Sequence, residues 1–339
     1  MTENFVHLHL HTEYSMVDST LRIPQLIARC IKEEMPAIAI TDQSNLFGLV
    51  KFYRKSLASG IKPIIGLDLK IANNDDATHP FTLLLLVKNN DGYQNLSELV
   101  TRCYIEGQAN GPPMAKREWL NEKSCAGLIA LSGAREGDIG RAMIAGNDNH
   151  VNECLDYWLD VFGDRFYLEL IRTGRKTEED VVQQNLKLAA DRQVPVVASN
   201  DVRFLDADGF NAHEARVCIH EGRELDDVNR PRNYSKDQYL RSPAPGEPTR
   251  ASRCLLASAR PGHRTAVGVA GAAGEAPASR TAGGSGGLAT TAAPSASPSS
   301  TVSPTLSPSA ADAWFVPAGG GRNNARCGVP GDTGVNDAF

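Results

Sequence analysis

Short apolar runs, many of them β-branched, recur through the first two hundred residues and alternate with longer amphipathic stretches. The runs span 5–10, 37–41, 62–71, 82–87, 127–132, 166–170 and 195–199, and each has the length and residue types of a buried strand. Between them, 23–34, 46–58, 93–104, 149–162 and 177–193 place apolar residues near helical spacing. This alternation predicts an α/β fold with a parallel sheet, and seven units without an evident edge favour closure into a (β/α) barrel.

In such barrels chemistry collects at the carboxyl ends of the strands. The residues after the runs are polar: His9, His11 and Asp18 after the first, Asp42, Gln43 and Ser44 after the second, Asp68 inside the third, Arg172 and Thr173 after the sixth, and Asp201 and Arg203 after the seventh. One such residue more often caps a helix or shapes a turn. Histidines and acids at several strand ends together point to one convergent site. In the opening run, alternation puts His7, His9 and His11 on one face. Two imidazoles two residues apart, with Asp18 reaching in from the loop, form a nitrogen and carboxylate donor set that suits zinc or manganese.

Composition divides the chain. Lysine stops at Lys236, isoleucine at Ile219 and tyrosine at Tyr239, while residues 243–339 are mainly Ala, Gly, Ser, Pro, Thr and Arg. That stretch carries seven arginines against five acids, so the chain's net charge of −5 leaves −7 on residues 1–242, which argues against nucleic-acid binding through bulk charge. Seven scattered cysteines without a Cys-x-x-Cys pair fit reduced cytosolic thiols better than a disulfide framework or a zinc knuckle. With no signal-like N-terminus and no membrane-length apolar run, the expected location is the cytoplasm.

Several phrases, in order, carry a resemblance: residues 7–15 (HLHLHTEYS), 39–46 (AITDQSNL), 49–53 (LVKFY), 60–66 (GIKPIIG), 92–96 (GYQNL) and 231–235 (PRNYS). Together they resemble the polymerase and histidinol phosphatase superfamily, called PHP, and more closely the N-terminal region of the alpha subunits of bacterial DNA polymerase III. The resemblance runs from about residue 3 to Ser242. It implies a distorted seven-stranded parallel barrel over 1–220, a connection toward a polymerase module over 221–242, and a cluster of up to three metal ions with nine ligands that would activate water against a phosphoester. His9, His11, Asp18 and Asp201 stand at ligand positions, and Asp68 stands where active members carry a glutamate. Gln43, Thr82, Ala134, Thr173 and Arg203 stand at ligand positions that have been lost. An alanine has no donor, and Arg203 sets a permanent cation where a metal would sit. A remnant metal site, with little or no hydrolysis, is therefore expected. The one cofactor left room for is a weakly bound divalent ion: zinc, manganese or magnesium.

In relatives whose PHP site has decayed, proofreading belongs to a separate exonuclease subunit docked on this domain, so a scaffold role is the first expectation. Lys51, Lys55, Arg172 and Arg175 are candidate cations for a partner or for DNA phosphates, although solvated surface charge is the commoner role. An active metal-dependent phosphoesterase, either a phosphatase or a 3′–5′ exonuclease, is the alternative. A freestanding histidinol phosphatase fits less well with the depleted ligands and the 231–235 phrase. The carboxylates of a polymerase palm would lie beyond Ser242, where no such pattern occurs, so contacts with DNA and with other replicase subunits are expected only through that missing region. Residues 243–339 read as a disordered, low-complexity tail, of the composition an out-of-frame GC-rich coding stretch yields; a flexible linker shares that composition.

Overall fold

The computed structural model describes residues 5–76, 79–108 and 111–242; the expected tail at 243–339 lies outside them. Six strands form one sheet in chain order: β1 (Ala37–Ile40), β2 (Lys62–Ile71), β3 (Phe81–Val87), β4 (Leu128–Leu131), β5 (Phe166–Ile171) and β6 (Val196–Ser199). They coincide with the last six predicted runs to within a residue or so at each end. The helices are α1 (Ile23–Lys32), α2 (Leu49–Ala58), α3 (Asn90–Glu106), α4 (Asp138–Ile144), α5 (Asp148–Phe162), α6 (Glu178–Arg192) and α7 (Phe210–Glu221). The α/β class stands; α4 and α7 were not anticipated.

Two features of the expected seven-stranded parallel barrel are corrected. The sheet is mixed, because β3 runs antiparallel to both β2 and β4, whereas β1–β2, β4–β5 and β5–β6 are parallel. Only nine residues, 72–80, join β2 to β3, too few for the crossover a parallel return needs, so the chain turns back as a hairpin. The opening run is also not a regular strand. It is extended but bends at His9, and it makes isolated bonds on both flanks. The Ala39 N–H donates to the His7 carbonyl at 3.0 Å and the Thr41 N–H to that of Leu10 at 2.9 Å. On the other flank, the His11 N–H donates to the Val202 carbonyl at 2.9 Å and the Val202 N–H to that of His9 at 3.0 Å. This irregular stave links β1 to the segment after β6.

Period-two alternation decides which side chains point inward. On β3, Leu83, Leu85 and Val87 join the large core beneath α3, α5 and α6, while Leu84 and Leu86 pack with Leu131 and Val197 on the opposite face. On β2, Leu67 and Leu69 join the helix-covered core, so Asp68 is turned to the inner face; Leu168 and Leu170 do the same for Glu169 on β5. A second core forms where α1 buries Ile23, Leu26, Ile27 and Cys30, an i, i+3, i+4, i+7 stripe, against Ile38, Ile40 and Phe52. No helix among the described residues is long and apolar enough to cross a membrane.

Candidate functional site

Five backbone positions supply the inner-face polar groups: the stave, the loop before α1 that carries Asp18, the middle of β2, β5, and the turn after β6. His11 Nε2 lies 3.0 Å from Asp68 Oδ2, and His11 Nδ1 lies 2.9 Å from Asp18 Oδ1. His9 Nε2 faces Asp201 Oδ1 at 3.5 Å and Asp68 Oδ2 at 3.7 Å. All five side chains singled out from the sequence therefore lie together, and all are buried. His7 does not join them. Its Nε2 donates to the Arg241 carbonyl at 3.0 Å. Leu8 packs with the inner cluster and Leu10 with the α1 core, so the bend at His9 interrupts the strict alternation that would have aligned three histidines.

Glu169 belongs to this cluster and was not singled out. Its Oε1 accepts from His9 Nδ1 at 2.9 Å and from the Ser199 hydroxyl at 2.5 Å. An acid alternating with Leu168 and Leu170 in a buried strand is the signal that could have found it. Asp42, which follows β1, stays outside: its carboxylate accepts from the Thr12 N–H at 2.6 Å, the Thr12 hydroxyl at 2.7 Å and the Ser15 hydroxyl at 2.7 Å, fixing the 12–15 loop.

The positions read as lost ligands are filled by other chemistry. Arg203 Nε donates to Asp201 Oδ1 at 2.8 Å, and its Nη1 lies against Asp18 Oδ2 and His11 Nδ1. Thr82 Oγ1 accepts from Lys70 Nζ at 2.7 Å, and that ammonium lies 4.0 Å from Asp68 Oδ2. The Thr173 hydroxyl donates to Glu178 at 2.9 Å. Ala134 is buried in a turn with φ +46°, and Gln43 bridges backbone to backbone with Asp68. Arg175, read as a surface cation, is instead buried, with Nη2 3.2 Å from Asp201 and Nε 3.1 Å from Glu178. Arg172 and Lys51 stay nearer the surface, paired with Glu179 at 2.7 Å and Glu13 at 3.6 Å.

Electrostatics follow from this packing. Burial works against a charge on His9, but Glu169 and Asp201 outweigh it and push the imidazole up to about 10. His11 is raised as well, against burial and Arg203, by Asp18 and Asp68. Although burial opposes it, Arg203 holds Asp18 and Asp201 well below the usual carboxylate range, and Lys70 with the two histidines does the same for Asp68. Five carboxylates (Asp18, Asp68, Glu169, Glu178, Asp201) thus interleave with His9, His11, Lys70, Arg175 and Arg203 in one buried polar network.

Tested against a metal, the donor set divides. A two- or three-ion centre does not fit, since Asp18 and Asp201 already hold a guanidinium and each added ion would face three resident cations. One ion does fit between His9, His11 and Asp68, whose donor atoms lie within 4.8 Å of one another. His9 Nε2 and Asp68 Oδ1 also lack a hydrogen-bond partner. Binding there requires His9, held protonated by its acid neighbours, to give up a proton, which lowers affinity at neutral pH.

Residues 7–173 match the family model of the PHP domain. DNA polymerase III subunit alpha of Pseudomonas aeruginosa is 48% identical over 244 residues, covering 72% of this chain and 21% of that protein. The subunit of the same name from Escherichia coli is 48% identical over 241 residues, covering 70% and 20%. The chain thus spans about a fifth of the length of the curated relatives it matches. Among solved structures, an amidohydrolase from Chromobacterium violaceum described with bound sulfate and no metal is 14% identical, with a TM-score of 0.43, covering 62% of this chain and 96% of that one.

Proposed function

We propose, for a chain that belongs to the PHP domain family through residues 7–173 and is related to DNA polymerase III subunit alpha, that this domain is the non-hydrolytic platform of a replicative polymerase subunit. The observation that carries the reading is Arg203. One guanidinium occupies the space between Asp18 and Asp201 and satisfies both carboxylates, which a hydrolytic centre would need for its ions. His9, His11, Asp18, Asp68 and Asp201 are on this reading the remnant of a metal site, now serving to hold the inner face of the sheet together. Proofreading would then fall to a separate exonuclease docked on the domain, in a cytoplasmic replicase. Polymerisation and DNA contact would belong to the part of such subunits that this chain does not share. The PHP unit on this reading ends near 220, and 221–242 leads toward that part.

Elemental analysis of the purified chain, with assays on paranitrophenyl phosphate and single-stranded DNA in manganese or zinc, tests the reading. Less than one tightly held ion per chain and no metal-dependent turnover are expected. Two or three ions, with turnover abolished by His9→Ala, would replace it with an active phosphoesterase.

A second reading rests on the unpartnered His9 Nε2 and Asp68 Oδ1. A single divalent ion at His9, His11 and Asp68 would supply Lewis acidity to a bound water or phosphoryl oxygen. One ion per chain, lost with His11→Ala, is its signature.

A further inference from the structure

Among the described residues none after α7 belongs to a helix or strand, yet the last of them, 230–242, are tightly held. Gln238 and Leu240 are buried, and the anchors fall on residues that carry the carboxylate cluster. The Arg203 N–H donates to the Gln238 carbonyl at 2.8 Å, and the Leu240 N–H donates to the Phe204 carbonyl at 3.1 Å. Side chains add to this ladder. Gln238 Nε2 donates to Asp201 Oδ2 at 2.8 Å, and the Tyr234 hydroxyl donates to Asp18 Oδ2 at 3.4 Å. Residues 201–204 are thereby clasped on both sides, by the stave through Val202 and by this strap through Arg203 and Phe204.

The chemistry of the clasp is specific. Asp201 sits at φ +47°, a left-handed conformation that a non-glycine residue holds only where its surroundings fix it. Its carboxylate already receives Arg203 and Arg175. Beside these two guanidiniums it also accepts a neutral donor, the Gln238 amide. That amide takes an oxygen that an ion bound at Asp201 would otherwise use.

We propose that the carboxylate cluster serves as the seat of this strap: Asp201, fixed by Arg203, receives Gln238 and so sets the path that residues 234–242 take across the domain. Gln238 is a positioning residue in this arrangement. The inference rests on the reading that protein cations, and not metal ions, neutralise Asp18 and Asp201. It gives a buried ionic network a use other than stability, which such networks often do not supply.

Hydrogen exchange on the full chain tests it, with Gln238→Glu as the main variant. That change is nearly isosteric and keeps an acceptor for the Ser235 N–H, which bonds to Gln238 Oε1 at 2.9 Å, but it sets a carboxylate against Asp201. At neutral pH, exchange at the amides of Leu240 and Arg203 should rise at least ten-fold, while β2 and β3 amides keep their protection. Gln238→Ala should act in the same direction. Unchanged exchange at Leu240 and Arg203 overturns the proposal, and so does a rise matched by β2 and β3, which would mean the whole fold had loosened. Metal content measured on the same samples separates the two readings. Two or three ions per chain defeat the platform reading, whereas a metal-free chain with an unresponsive strap defeats this one alone.

Discussion

Arg203 Nε donates to Asp201 Oδ1 at 2.8 Å, inside a pocket where the carboxylate and the guanidinium are both almost wholly withdrawn from water. Removing one partner of a buried pair strands the other, and the cost is commonly several kcal/mol. Arg203→Met keeps much of the volume but leaves Asp18 and Asp201 without their shared cation. Its urea unfolding midpoint should fall by an amount worth about 3–5 kcal/mol. A midpoint equal to that of the parent would show that the guanidinium is not what holds these acids.

Glu169 is the strongest of the groups that keep His9 protonated against the cost of burial. Glu169→Gln preserves shape and an oxygen acceptor for Nδ1 while deleting the charge. The His9 ring, which otherwise titrates at about 10, should then titrate lower by about one unit or more. Histidine resonances followed by NMR across the alkaline range provide the measurement, and an unmoved titration would remove Glu169 from that role.

His7 behaves oppositely. Burial pushes its imidazole down to about 4 from an ordinary 6.5, outweighing the upward pull of the hydrogen bond from Nε2 to the Arg241 carbonyl, and the Arg241 charge adds to the lowering. Between those values the unfolded chain binds a proton that the folded chain does not, so stability falls as pH falls through that window and is fully present above 6.5. The loss attributable to this group approaches roughly 3 kcal/mol by pH 4. Denaturant unfolding of the parent and of His7→Gln at pH 7.5, 6 and 4.5 should show the parent losing more on acidification. Parallel curves would contradict it.

Gly92, in the first turn of α3, approaches the backbone at Gly127 so closely that a Cβ would lie 1.9 Å from the Gly127 carbonyl oxygen. Backbone cannot yield as a flexible side chain can. Gly92→Ala should therefore separate the start of α3 from the entry to β4, at a cost of about 1–3 kcal/mol. A lowered melting temperature with unchanged far-ultraviolet dichroism is the expected result.

Much of the fold was readable because burial is periodic. The runs at 62–71 and 166–170 appear as β2 and β5 since the face a strand turns to covering helices must be apolar at alternate positions, as at Leu67, Leu69, Leu168 and Leu170, and the stripe of Ile23, Leu26, Ile27 and Cys30 marked α1 in the same way. Strand direction was less legible, as an apolar run has the same pattern read either way; only the short 72–80 connection hinted that β3 turns back. α4 was missed because a seven-residue helix offers scarcely two turns of periodicity. α7 was missed because its buried positions include His213 and Glu214, polar residues that erase an apolar stripe.

The residue types bounded the chemistry in advance, with two histidines two apart and acids after several strands; that an arginine stands where a donor would be needed came from the family resemblance. Local pattern carries that much, because spacing along a strand or helix converts directly into facing. Partnership did not follow from it. That Arg175 turns inward to Asp201 and does not reach solvent, that His7 falls outside the cluster, and that Gln238 reaches back to close it all depend on groups distant in sequence meeting in one low-dielectric volume. In that volume each charge takes its state from its neighbours, and the neighbours exist only once the sheet has curled and the strap has returned.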